Sequence, residues 1–406
     1  MQHLSQDMQD LPQIVHDLSQ PEKTTPVIKS LQCDDFFLIV DWNNGQQGRY
    51  PFIFLQDNAP GIRHTNGQKL IETAALHISQ RPENVSLCEN RNVSIKWDDR
   101  SEEQIFSDTW LWEHDAQNNR HAQKNDNPDT TSANALWDHH LNRQLPESDF
   151  SAINENEEAL YSWLDKVQKY GFAILRNVPP VGGMILEVVK LFGYIRETNY
   201  GSIFDVKTVI HPNNLAFTGL GISAHTDNPY RNPTPTLQLL HCLSSDANGG
   251  DSILADAFKI AEDLRQQYPG YFKILNTTMV TYQFRDSENW LERSTPIIST
   301  YPDGTLAAIR LNNRSIQPFK LLPDDLLDFY KAYLQFVTMS NDENYQVRFK
   351  MSPGDLYIVD NERITHARSA YDNKGGERFL QGAYADRDGL LSKWRVLGQR
   401  FSSKIK

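Results

Sequence analysis

Apolar and polar residues alternate through VIKSLQCDDFFLIVDW (27–42) and again through RYPFIFLQD (49–57). The two runs flank Asn43-Asn44-Gly45, which predicts a hairpin closed by a turn that tolerates positive φ. A further short strand, NVSIKW, ends at Trp97, and beyond Trp112 the segment EHDAQNNRHAQKNDNPDTTSAN is almost devoid of apolar residues and is expected to be a linker. The pattern thus divides the chain into a polar tail (1–26), a small β-rich domain (27–113), a linker (114–132) and a larger domain (133–406).

In the larger domain, Leu160, Trp163, Leu164 and Val167 recur at helical spacing and Gly171 stops the helix before the strand FAILRNV. The remainder of this domain is mostly strands: TLQLLHCL, DSILADAF, TMVTYQF, LAAIRLN, LYIVD and FLQGAYA are short, apolar-rich and separated by Gly, Pro, Asn or Asp. The expected fold class is mainly β (α+β), with a jelly-roll domain carrying outer helices behind a small β-rich N-terminal domain. No internal repeat is visible.

Composition narrows the function classes. Hydrophobic residues make up 39% and charged residues 23% of the 406, an ordinary globular balance. The formal net charge of -12 argues against a nucleic-acid or anionic-membrane surface, which needs clustered Lys and Arg. Met1 to Gln20 is polar and mildly acidic, with no basic start or apolar run of a signal peptide, and no stretch reaches the length of a membrane span, so a cytoplasmic protein is expected. The three cysteines, Cys33, Cys88 and Cys242, are too scattered for a disulfide framework or a paired zinc motif.

Candidate chemistry begins at AHTDNPYR, where His225 and Asp227 stand two apart. On a strand, both side chains would leave the same face and could share a metal. One His-x-Asp pair is about what chance supplies in a chain with 12 His and this much Asp, so the pair alone decides little. The case strengthens in SPGDLYIVDNERITHARSAY, where a Gly-Asp turn leads into an apolar strand and His366 comes after it, and again twelve residues later, where Arg378 opens RFLQGAYAD. Two His and one carboxylate occupy one face of Fe(II) and leave three positions for a chelating co-substrate and O₂. A dicarboxylic co-substrate such as 2-oxoglutarate also needs a cation for its far end, and the guanidinium fork of Arg378 matches a carboxylate.

With AHTDNPYRNPTPTLQLLHCL, GGDSILADAF, MSPGDLYIVDNERITHARSAY and RFLQGAYADRDGLLSKWRVL, the chain resembles the taurine-dioxygenase-like superfamily, and within it the γ-butyrobetaine and trimethyllysine hydroxylases. The resemblance implies a double-stranded β-helix with Fe(II) on His225, Asp227 and His366, and 2-oxoglutarate on Arg378 with Ser252 near the same carboxylate. It implies a homodimer and a small-molecule substrate whose trimethylammonium group sits among Tyr200, Phe204, Phe217 and Tyr384. A quaternary ammonium has no N–H to donate, so ring faces are its main specific partners. At the substrate's anionic end the resemblance points to Asn214 and to Asn313 or its neighbour Asn312, with Arg314 available to add charge for a phosphonate.

The chain departs from its relatives in one place. Many carry a zinc site in the small domain, but LQDNAPGIRHTNGQ has no cysteine, His64 alone cannot replace the thiolates, and IKWDDRSEE offers Arg100 where a histidine is needed. No zinc is expected. The preferred reading is hydroxylation of an aliphatic C–H in γ-butyrobetaine or (2-trimethylammonioethyl)phosphonate. The rivals are the same chemistry on a sulfonate or amino acid, a non-catalytic quaternary-ammonium-binding β-sandwich, and a cupin-like metal isomerase that would not need Arg378.

Overall fold

The computed structural model describes residues 26–98, 102–115, 135–207, 220–372 and 378–404. The chain divides into two compact units, Met1–Asn127 and Pro128–Lys406.

The first unit holds two three-stranded antiparallel sheets, one from Ile28–Cys33, Phe37–Trp42 and Gln47–Pro51, the other from Pro82–Leu87, Val93–Trp97 and Gln104–Phe106. The Asn43–Gly45 turn forms as the sequence predicts, with Gly45 at φ +84°. The second apolar run, however, does not stay extended: Pro51 ends the strand, and Phe52–Asp57 is a helix that buries Phe52 and Leu55. Six residues with apolar and polar positions mixed do not separate the two periods. Trp42, Tyr50, Phe52, Trp97 and Phe106 form a core of large rings, with Trp42 edge-on to Trp112 at 5.1 Å and Phe52 edge-on to Trp97 at 6.1 Å. The Tyr50 hydroxyl donates to the Leu111 carbonyl at 2.6 Å, tying the first sheet to the helix Asp108–Glu113. His64 lies on an exposed loop and Arg100 outside the described residues.

In the second unit a six-stranded sheet runs in the order Glu147–Asp149, Phe172–Arg176, Leu356–Asp360, Leu237–Ser245, Arg378–Ala385, Phe204–Val206. A four-stranded sheet runs Ile222–His225, Ile364–Arg368, Ser252–Asp256, Gln346–Phe349. All pairs are antiparallel except the first of the larger sheet. These are the two sheets of a jelly roll.

The strand Leu237–Ser245 explains why its sequence is nearly all apolar: it is buried on both faces. Leu237 and Leu239 pack outward against helices, while Leu240 and Cys242 join an inner cluster with Leu254, Tyr357, Val359 and Leu380. The outer layer is built by Glu157–Tyr170 and Arg387–Lys404. The first of these is capped by Asn156, whose side chain accepts from the Glu158 N–H at 2.7 Å, and it stops at Gly171, φ +75°. A Cβ at Gly171 would also meet Ile364 Cδ1 at 2.8 Å, so the position needs glycine twice over. More helix is present than the strand-dominated reading expects. Ala257–Gln267, Pro269–Thr277 and Pro323–Ser340 form a helical layer around Ile260, Leu264, Phe329, Ala332 and Phe336.

One buried ion pair fixes the strand that carries His366. Arg363, 2% exposed, donates to both oxygens of fully buried Asp256 at 3.1 and 2.8 Å, and to the Lys169 and Ala135 carbonyls at 3.0 and 2.8 Å. Every nitrogen of the guanidinium is engaged, which is what makes an ion pair tolerable in a core. None of the three cysteines is paired, and no helix among the described residues is long and apolar enough to cross a membrane.

Candidate active site

His225 ends its strand and faces His366 directly across the antiparallel pair, with ring centroids 4.2 Å apart. Asp227 is not on that strand, as the two-residue spacing suggested, but in the bend beyond it. It reaches the histidines because Asn361 brackets its backbone: the Asp227 N–H donates to Asn361 Oδ1 at 2.7 Å, and Asn361 Nδ2 donates to the Asp227 and Pro235 carbonyls at 2.9 Å each. Asn228, at φ +52°, then turns the chain away.

The result is a convergent donor set. Asp227 Oδ1 lies 3.5 Å from His225 Nε2 and 3.7 Å from His366 Nε2, and the three ligand atoms all fall within 4.8 Å of one another. One ion with bonds of roughly 2.0–2.2 Å to nitrogen and oxygen spans such gaps. His225 Nδ1 is 2.9 Å from the Ser223 carbonyl, so this nitrogen carries the proton and Nε2 keeps its lone pair for a metal. Burial and the neighbouring His366 push the His225 imidazole down to about 4, so it is neutral at physiological pH. Burial opposes ionisation of Asp227, but the His225 and His366 rings outweigh it and hold the carboxyl well below its usual range. The set fits an iron site.

The opposite oxygen of Asp227 is also occupied. Oδ2 accepts from Gln238 Nε2 at 2.6 Å and from the Tyr384 hydroxyl at 2.8 Å. Burial and the Asp227 charge raise Tyr384 well above the ordinary phenol value, so it stays a donor.

A cavity is lined by the three donors together with Ser252, Tyr357 and Arg378. Arg378 is 5% exposed; its Nε donates to the Gly250 carbonyl at 3.2 Å, and its NH1 is a buried donor without a partner among the described residues. Burial lowers its affinity for a proton, with Tyr357 and Tyr371 opposing. An arginine this deep with a donor unmet among the described residues has the charge and the open N–H to receive an anion. Ser252 is 3% exposed and pairs across the sheet with Arg368, two positions from the Leu254–His366 pair. Two strand residues span about 7 Å, which suits a five-carbon dicarboxylate. Arg368 is a second buried cation lining this cavity; it donates to the Leu220 carbonyl at 2.6 Å, and burial lowers it to about 10.

The inner face of the strand Arg378–Ala385 carries Arg378, Leu380, Gly382 and Tyr384 in turn. Gly382 makes room for Phe204, whose ring atoms lie 2.2 and 2.3 Å from where a Cβ would stand. Phe204 stacks on Tyr384 at 5.0 Å, and Tyr200 lies 6.3 Å from Phe204. Tyr200 continues to Phe284 at 5.9 Å, and its hydroxyl is 3.0 Å from that of Tyr230.

The structure therefore brings Tyr200, Phe204 and Tyr384 together and adds Tyr230 and Phe284, which sequence reading missed. Asn214 and Phe217 lie outside the described residues. Asn312 is buried: its Nδ2 donates to the Thr226 carbonyl at 2.9 Å, and its Oδ1 accepts from the Arg314 and Ser315 N–H groups at 3.1 and 3.3 Å. Asn313 is exposed on that turn. The turn is fastened to the residue between two candidate ligands, and the Arg314 guanidinium is close enough to act on His225 and Asp227.

Residues 138–384 match the family model described as taurine catabolism dioxygenase TauD, TfdA family. The chain belongs to this family. A TauD/TfdA protein of this kind is a dioxygenase dependent on iron and 2-oxoglutarate, and the residues above fit both. Residues 30–112 match the γ-butyrobetaine hydroxylase-like N-terminal model. Among curated relatives, the γ-butyrobetaine dioxygenase of a Pseudomonas species is 31% identical over 385 residues, covering 92% of this chain and 98% of that protein. The human γ-butyrobetaine dioxygenase is 30% identical over 371 residues, 88% of this chain and 94% of that one. The trimethyllysine dioxygenase of Meyerozyma guilliermondii is 28% identical over 374 residues, 88% and 92% respectively.

Proposed function

We propose that this dioxygenase hydroxylates an aliphatic C–H of a small trimethylammonium zwitterion, γ-butyrobetaine or its phosphonate analogue (2-trimethylammonioethyl)phosphonate. The observation that carries the reading is the position of Tyr384: it belongs to the ring cluster and is one hydrogen bond from Asp227. A cation held on that ring has its neighbouring carbons beside the metal ligands.

In this reading His225, Asp227 and His366 hold the iron. Bound iron with 2-oxoglutarate and O₂ supplies the oxidation, in which the co-substrate becomes succinate and CO₂ and the substrate C–H becomes C–OH. Arg378, with Ser252, takes the far carboxylate of 2-oxoglutarate. Tyr200, Phe204 and Tyr384 hold the trimethylammonium group, with Phe217 as a further ring. Arg314, Asn313 and Asn214 receive the anionic end; Asn312 is already committed to Thr226, which favours Asn313 of the two. The protein's work is positioning. The family resemblance further supports a homodimer, read by light scattering.

The test of the substrate class is the carbon isostere 5,5-dimethylhexanoate, which keeps the shape and carboxylate of γ-butyrobetaine but not the charge. Cation-ring contacts give about 0.5–2 kcal/mol each, so three rings predict at least about tenfold weaker binding of the isostere. Equal binding of the two compounds would overturn the cation reading. Preferential turnover of taurine would replace it with the sulfonate alternative.

A further inference from the structure

Gln238 is the one amide in the apolar run TLQLLHCL, 3% exposed on the inner face of the central strand. Its Oε1 is buried with no partner among the described residues. A side chain that leaves an acceptor unmet in a core costs stability, and an apolar residue of similar size would avoid the cost. The return is on its other end, where Nε2 donates to Asp227 Oδ2 at 2.6 Å. Directly opposite in the sheet register stands Tyr384, whose hydroxyl donates to the same oxygen at 2.8 Å.

We propose that Gln238, paired with Tyr384, is a positioning residue that clamps Oδ2 of Asp227 and so makes the aspartate a one-oxygen metal ligand. A carboxylate oxygen has two lone-pair sites, and these two donors take both. Oδ1 is left alone toward His225 and His366, at 3.5 and 3.7 Å. The consequence is a count of positions. Two imidazoles and one oxygen leave three sites of an octahedron open, which a chelating co-substrate and O₂ require; an aspartate gripping with both oxygens would leave two. Gln238 therefore protects the third open position by acting through Asp227, from the wall of the cavity that the three donors also line. This rests on reading His225, Asp227 and His366 as the metal site.

The experiment uses the full chain with Co(II) as a spectroscopic probe, comparing the parent with Gln238→Met, Tyr384→Phe and the double variant. Each single change is expected to weaken Co(II) binding about 10–100-fold, the usual effect of losing a partner of a ligand. The d–d absorption bands should move toward those of a higher-coordinate site, most strongly in the double variant. The thermal midpoint of metal-free Gln238→Met should stay close to the parent's, since losing the bond to Asp227 is offset by removing the unmet Oε1 acceptor. Unchanged affinity and bands in the variants overturn the proposal while leaving the metal site intact. Weaker binding that tracks a lowered metal-free midpoint, with unchanged bands, assigns Gln238 a packing role and also overturns it. Failure of the parent chain to bind Co(II) overturns the metal-site reading itself.

Discussion

Replacing Arg378 with methionine removes a buried cation but little volume, and it should weaken binding far more than it lowers stability. In the structure the guanidinium satisfies Nε on Gly250 and leaves NH1 unmet among the described residues. Breaking a buried, hydrogen-bonded charge pair costs about 2–5 kcal/mol. At about 1.36 kcal/mol per tenfold, Arg378→Met should raise the dissociation constant for 2-oxoglutarate roughly 30- to 5,000-fold. Without co-substrate the same substitution removes a buried charge that has no carboxylate partner among the described residues, so the unloaded protein should lose little or no stability. Anaerobic calorimetric titration of the Mn(II)-loaded protein with 2-oxoglutarate measures the first effect, and a thermal melt of the unloaded protein the second. Arg378→Lys keeps the charge but loses the fork, so it should fall between the two. Affinity within threefold of the parent would refute the role of Arg378. A large drop in the unloaded protein's midpoint would show that the arginine's work is structural.

Other outcomes come from the same geometry. Gly382→Ala should displace Phe204, raising the KM for the trimethylammonium substrate while leaving 2-oxoglutarate affinity nearly unchanged; steady-state kinetics in each substrate separates the two. Asp256→Ala should destabilise the second unit by about 3–5 kcal/mol by stranding Arg363, and adding Arg363→Met should recover much of the loss, as denaturant titration would show. Asp149 caps the helix Phe150–Glu155, and bonds from Ser151, Asn177 and the Ala152 N–H hold its pKa at about 2 against the usual 3.8. Its contribution to stability is fully present above the unfolded value and is lost as pH falls through about 2, so Asp149→Asn should flatten acid unfolding in that window. Elemental analysis of the iron-loaded chain should find iron without zinc.

What could be read from sequence was whatever lies within one element. The helix 157–170 carried its apolar spacing, its Asn156 cap and its Gly171 stop in contiguous residues, and the strand Arg378–Ala385 carried its alternation. The helix Pro323–Ser340 carried an equally plain signal in Phe329, Ala332, Tyr333 and Phe336, which the density of surrounding strand-like segments obscured. Phe52–Asp57 was too short for its period to decide. At the site, His225, Asp227, His366 and Arg378 stood out because their side chains have few uses together in one cavity. Asn361 and Gln238 did not, because each acts through register: Asn361 reaches Asp227 across 134 residues, and Gln238 meets Tyr384 only once two strands are aligned. A lone amide in an apolar run was the available signal for Gln238. For Asn361, adjacent to Asp360 in VDNER, turn formation was the simpler explanation.

The most direct test of the proposed function is a coupled turnover measurement on anaerobically purified, Fe(II)-reconstituted protein given 2-oxoglutarate, O₂ and, in parallel, γ-butyrobetaine, its phosphonate analogue, trimethyllysine and taurine. One succinate per hydroxylated product is expected with γ-butyrobetaine or the phosphonate, and slower, uncoupled succinate with taurine. Uncoupled succinate with both trimethylammonium zwitterions would contradict the substrate, and no succinate with any compound would contradict the enzyme.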